Sequence, residues 1–77
     1  MNKQALAATT AIGIARKNEC FGAMTTSARC CVDDARTCYD RKDYKHACER
    51  ALKSLAYSVG ITHADYKSVQ SLIASQF

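Results

Sequence analysis

The apolar residues of this chain are mostly small. Thirteen are alanine and five are cysteine, against two phenylalanines, Phe21 and Phe77, and no tryptophan. A chain of 77 residues makes one domain, 1–77, near the size at which a single core is marginal. A thin core of small side chains leans on close helix packing, on a partner, or on oligomerisation. Proline is absent, three glycines interrupt, and β-branched residues nowhere alternate with polar ones over a useful length. The expectation is therefore an all-α fold.

Helical periodicity supplies the elements. Over residues 24–39, Met24, Ala28, Cys31, Ala35 and Cys38 recur at 4-3-4-3 spacing and predict one continuous apolar stripe. Over 44–59, Tyr44, Cys48, Ala51, Leu52, Leu55 and Val59 share a face, and Asp43 is placed to cap the first turn. The polar break Asp40-Arg41-Lys42-Asp43 suits an antiparallel helical hairpin. Gly60 then offers a C-cap, and Thr62 precedes a last helix of about 63–75 with Tyr66, Val69, Ile73 and Phe77 facing inward. The first segment, about 3–17, has a broad apolar surface, and Ala7, Ala11 and Ala15 are spaced to let another helix approach. The predicted architecture is a small bundle of three to four helices around an antiparallel helical hairpin.

Three local patterns resemble known families. Tyr39-Asp40-Arg41-Lys42-Asp43-Tyr44, followed by Ala47, Ala51 and Leu52, resembles one tetratricopeptide-type hairpin, with Lys42 where that family places glycine. No second copy follows at a 34-residue period, so the resemblance implies a hairpin and no solenoid groove. Cys20 and Cys30 enclose nine residues, as do Cys38 and Cys48. This is similar to the twin Cys-x9-Cys hairpins of the mitochondrial intermembrane space. That resemblance implies bonds Cys20–Cys48 and Cys30–Cys38 with a turn near Asp34, leaving Cys31 over. Leu55-Ala56, Val59-Gly60-Ile61-Thr62, Tyr66 and Val69 resemble a helix-turn-helix unit over 52–73. It implies a DNA-recognition helix presenting His63, Lys67, Gln70 and Ser71, although one lysine beside Asp65 is a poor face for phosphate.

Charge narrows the function classes. The net charge is +4, of which residues 1–30 contribute +3, an excess too mild to demand nucleic acid. The apolar run at 5–15 is too short to span a bilayer and is diluted by Thr9 and Thr10 as an export signal. The expected setting is the cytoplasm, with no membrane association and with the cysteines as thiols. No metal or cofactor is expected, since no Cys-x-x-Cys pair exists and His46 and His63 lack ligand spacing from a cysteine cluster. No catalytic residues are expected: Asp33 and Asp34 diverge on a helix, and Cys30 beside Arg29 is the one thiol in an electropositive setting.

On the helix 44–59, His46, Arg50, Lys53 and Tyr57 recur at 4-3-4 spacing on the side away from the apolar stripe. Tyrosine and arginine together favour interface hot spots. The expected function is a small non-enzymatic protein-binding module, an inhibitor or modulator of a larger protein such as phage-type effectors supply. This stripe is the candidate partner surface, and a homo-oligomer is a second expected assembly. The competing class is a helix-turn-helix DNA-binding regulator, and behind it stands the disulfide-stapled hairpin.

Overall fold

A computed structural model of the chain describes residues 2–17, 25–57 and 63–77. Those residues form four helices and no strand: α1 (Lys3–Lys17), α2 (Thr26–Asp40), α3 (Tyr44–Tyr57) and α4 (His63–Gln76). The expected elements are all present, with boundaries displaced by one or two residues where they can be compared. Met24, Val59, Gly60 and Thr62 lie outside the described residues, so the stripe's first residue, the proposed C-cap and the start signal of α4 fall there.

The hairpin α2–α3 is the most extensive helix pair, followed by α1 against α3. Helix α3 meets each of the other three helices, as does α1, whereas α2 and α4 do not meet among the described residues. The molecule is thus an α1–α3 centre flanked by α2 on one side and α4 on the other. Among the described residues, nine of the thirteen buried hydrophobic ones are alanines. Ala8, Ala11 and Ala15 of α1, Ala28 and Ala35 of α2, and Ala47 and Ala51 of α3 are all fully buried. Small side chains at these positions remove the bulk that would hold the backbones apart. The largest fully buried side chains are only Leu55, Val69, Cys48 and Ser54.

Each end of the hairpin is fixed by polar groups. At the open end, the Thr25 hydroxyl accepts from the Ala28 N–H at 3.1 Å and donates to the Tyr57 carbonyl at 2.9 Å. One side chain therefore caps the start of α2 and satisfies a carbonyl at the end of α3. At the turn, the Lys42 N–H donates to the Tyr39 carbonyl and the Asp43 N–H to the Cys38 carbonyl, both at 2.9 Å. This paired 5→2 and 6→1 pattern is a Schellman C-cap. It holds Lys42 in the left-handed region at φ 62°, where glycine sits without strain. Asp43 then starts α3, its carboxylate accepting from the His46 N–H at 3.4 Å.

The buried faces differ from the sequence expectation in a consistent direction. On α2 the buried residues are Ala28, Val32 and Ala35, while Cys31, Cys38 and Tyr39 are half-buried, Cys38 and Tyr39 packed against the core. On α3 the buried set is Ala47, Cys48, Ala51, Ser54 and Leu55, and Tyr44 and Leu52 are only half-buried. A helix touched from several sides buries an arc wider than one stripe, which brings in Ala47 and Ser54. Ser54 is tolerated there because its hydroxyl donates to the Ala28 carbonyl at 2.8 Å across the α2–α3 contact. On α4, Val69 is buried and Tyr66 and Ile73 are half-buried, but Phe77 is exposed, because α4 ends at Gln76.

The strained turn gives a direct expectation. Replacing Lys42 with glycine removes a side-chain clash worth ~1 kcal/mol while leaving both cap bonds intact. Urea unfolding of K42G is expected to show higher stability by about that amount. A decrease would mean that the Lys42 side chain contributes more than its backbone costs.

Candidate functional site

The outer face of α3 carries the residues singled out in the sequence. His46, Lys53 and Tyr57 are exposed, Tyr57 by 52%, and Arg50 is half-buried. Over eleven positions at 1.5 Å each they form a ridge roughly 16 Å long. His46, Arg50 and Lys53 also line a shallow notch of about 120 Å³ together with Glu49.

Glu49 was not anticipated, and it alters the electrostatics. Besides His46, the notch carries two cations and one carboxylate, so a bare anion is not its complement. A matching surface offers a carboxylate to Arg50 and Lys53 and a donor to Glu49. The sequence signal was available, since Glu49 is three residues from His46 and four from Lys53 on the same helix.

His46 is held in place. Its Nδ1 lies 2.8 and 2.9 Å from the two carboxylate oxygens of Asp43. The hydrogen bond from His46 holds the Asp43 carboxyl below its usual value of 3.8. A lowered carboxyl pKa contributes stability above the unfolded value, and that contribution is lost as pH falls through the folded value. The pair sits at the first turn of α3, where negative charge also complements the helix dipole.

Of the residues of the DNA-binding alternative, Lys67, Gln70 and Ser71 are all exposed on α4, and Ser71 also lines a groove between α1 and α4 with Thr10, Ile14, Ser68, Leu72 and Ser75. The side chain of His63 and the whole turn 58–62 lie outside the described residues. Ala56, whose small size stood for a close helix contact in that resemblance, is exposed. Asp65 pairs with Lys17 of α1 at 3.7 Å, so its charge serves the α1–α4 contact.

The twin-cysteine pattern fails on geometry. Helix α2 runs unbroken through Asp34, the position of the implied turn. Cys30 and Cys38, eight residues apart on that helix, are separated by ~12 Å along its axis, and disulfide geometry requires Cα atoms within ~7 Å. Cys30, Cys31, Cys38 and Cys48 are free thiols, and Cys20 lies outside the described residues. Burial, with a smaller effect of the Glu49 charge, pushes the Cys48 thiol up to about 11, so it serves as a small core hydrophobe at neutral pH. Cys30 is exposed on α2. Among the described residues no three His, Cys, Asp or Glu side chains converge on a metal position, and no helix is long and apolar enough to cross a membrane.

The chain matches no protein-family model, no curated protein and no solved structure. Functional argument therefore rests on the surface itself.

The His46–Asp43 geometry is checked by following the Asp43 carboxyl carbon by NMR through an acid titration. Its midpoint is expected below 3.8 in the native chain and to move up toward that value in H46A. A native midpoint at or above 3.8 would contradict the pairing.

Proposed function

We propose that this chain is a small non-enzymatic binding module that docks on a larger protein through the outer face of α3 and modulates it. The observation that carries the reading is the exposed Tyr57 and half-buried Arg50 on one ridge with Lys53 and an Asp43-anchored His46. Arginine and tyrosine offer large contact areas with directed hydrogen bonds, and their burial dominates many interfaces. His46 is already held by Asp43, which reduces the entropy lost when a partner binds. The partner presents a carboxylate-bearing surface with at least one donor for Glu49, and the four free cysteines suit a reducing compartment such as the cytoplasm.

The test is affinity capture from source lysate under reducing conditions, with and without nuclease. A protein retained in both samples is expected, with retention lost in a variant carrying R50A and Y57A and preserved in one carrying K67A and Q70A. Each hot-spot loss is expected to weaken binding by at least roughly 30-fold, or ~2 kcal/mol. Capture that ignores R50A and Y57A, or that disappears with nuclease, would overturn the reading; the latter would favour DNA contact through Lys67 and Gln70.

A further inference from the structure

The charged side chains are unevenly placed. No charged residue occurs between Gln4 and Ala15 or between Ser68 and Phe77, whereas α2 and α3 are rich in both signs. Helices α1 and α4 lie side by side and antiparallel: Gln4 Nε2 donates to the Gln76 carbonyl at one end, and Lys17 pairs with Asp65 at the other. Together they present one uncharged face.

That face is also inexpensive to dehydrate. The hydroxyl of Thr10 donates to the Leu6 carbonyl at 2.9 Å and that of Ser68 to the Ala64 carbonyl at 2.9 Å. Ser75 donates to the Leu72 carbonyl at 3.3 Å. These three donors are satisfied within their own helices, so removing water from them leaves no unpaired hydroxyl hydrogen, and the exposed Ser71 hydroxyl in the same groove is left to bond across the contact.

Two further features point to a close neighbour. Leu6 is the most exposed large apolar side chain among the described residues, at 55%. Gly13, one helical stripe with Leu6 and Thr10, is exposed, and a Cβ built on it meets nothing within 4 Å. Inside a helix glycine costs ~1 kcal/mol relative to alanine, and nothing within the described chain requires it. Beside Gly13 the groove lined by Thr10, Ile14, Ser68, Ser71, Leu72 and Ser75 has a volume of about 510 Å³.

We infer that the α1–α4 face binds a second copy of this chain, each Leu6 entering the other's groove beside Gly13. A two-fold axis perpendicular to α1 near Thr10 sets the two α1 helices antiparallel. Residue 6 of one copy then lies over residues 13 and 14 of the other, and the reverse contact follows by symmetry. The occupant follows from the face itself, which carries both the protruding Leu6 and the groove that takes it, and charge sets the orientation. Two chains of +4 repel through most orientations, and this arrangement joins uncharged surface to uncharged surface. It brings each Lys3 to the neutralised Lys17–Asp65 pair of the second copy. The alanines Ala7, Ala11 and Ala15, spaced for helix approach in the sequence, are buried inside the protomer and take no part.

The size of the face sets the strength. Two helices ~10 Å wide and roughly 20 Å long give a footprint of ~400 Å² per copy, below the ~800 Å² per partner of standard interfaces. A contact of that class is weak and transient, its dissociation constant set by packing quality rather than by area.

Sedimentation velocity on the full chain under reducing conditions, from roughly 5 to roughly 500 µM, covers weak association of this kind. The mean mass is expected to rise from 8.4 kDa toward twice that value, and added salt is expected to shift the curve toward dimer. L6D and G13Q are each expected to weaken dimerisation at least roughly tenfold. G13Q replaces glycine by a better helix former in open space, and circular dichroism reports whether both variants keep native helicity. The R50A/Y57A variant is expected to dimerise like the native chain, which separates this contact from partner docking on α3. A mass of 8.4 kDa throughout, or a dimer indifferent to both L6D and G13Q, would overturn the inference.

Discussion

Everything in this molecule depends on how closely α3 can approach its neighbours. Ala28 and Ala35 of α2 and Ala47 and Ala51 of α3 are all fully buried, and Ser54 of α3 is bonded to the Ala28 carbonyl of α2. Such residues bury little area each, and hydrophobic stabilisation scales with area. What they allow is dense contact between backbones, where many weak dispersion interactions add. Thr25 and the Schellman turn at Asp40–Asp43 then fix the two ends, so the helices cannot splay without losing hydrogen bonds.

The same economy shapes the surface. Small residues are spent inside, so the few large side chains left outside stand out: Leu6 on α1, Tyr57 on α3 and Phe77 beyond α4. Charge of both signs is concentrated on the hairpin, whereas residues 4–15 of α1 and 68–77 at the end of α4 carry none. A polar, directional ridge and an uncharged, self-satisfied face therefore occupy different helices. The ridge suits a partner of opposite pattern, and the uncharged face suits a surface like itself.

Much of the fold was legible in the sequence, because apolar spacing alone marks helices and the Asp40–Asp43 cluster marks the turn. The missing glycine at Lys42 was visible as a departure from the tetratricopeptide pattern, and the structure explains it as a left-handed cap. Burial within each helix was less legible. A single wheel stripe placed Cys31, Cys38 and Leu52 inward, and all three are half-buried, Cys38 and Leu52 against the core, while contact from two or three sides widened the buried arcs to include Val32, Ala47 and Ser54. The α3 ridge could be drawn from spacing, whereas Glu49, which lies in its notch, has the opposite charge and falls outside the cation–aromatic pattern. The α1–α4 face was illegible, since it depends on two helices distant in sequence lying together and on hydroxyls turned inward.

The close-packed alanine seam is tested most directly by enlarging one of its members. Ala51→Leu adds three carbons at a fully buried position between α3 and its neighbours. Overpacking of a tight core costs ~1–3 kcal/mol, which for a domain of this size lowers the melting temperature by roughly 4–8 °C per kcal/mol. A loss of that size, measured by thermal and urea unfolding, is the predicted result. Unchanged or increased stability would contradict the account, because it would mean that the seam holds empty space rather than close contact.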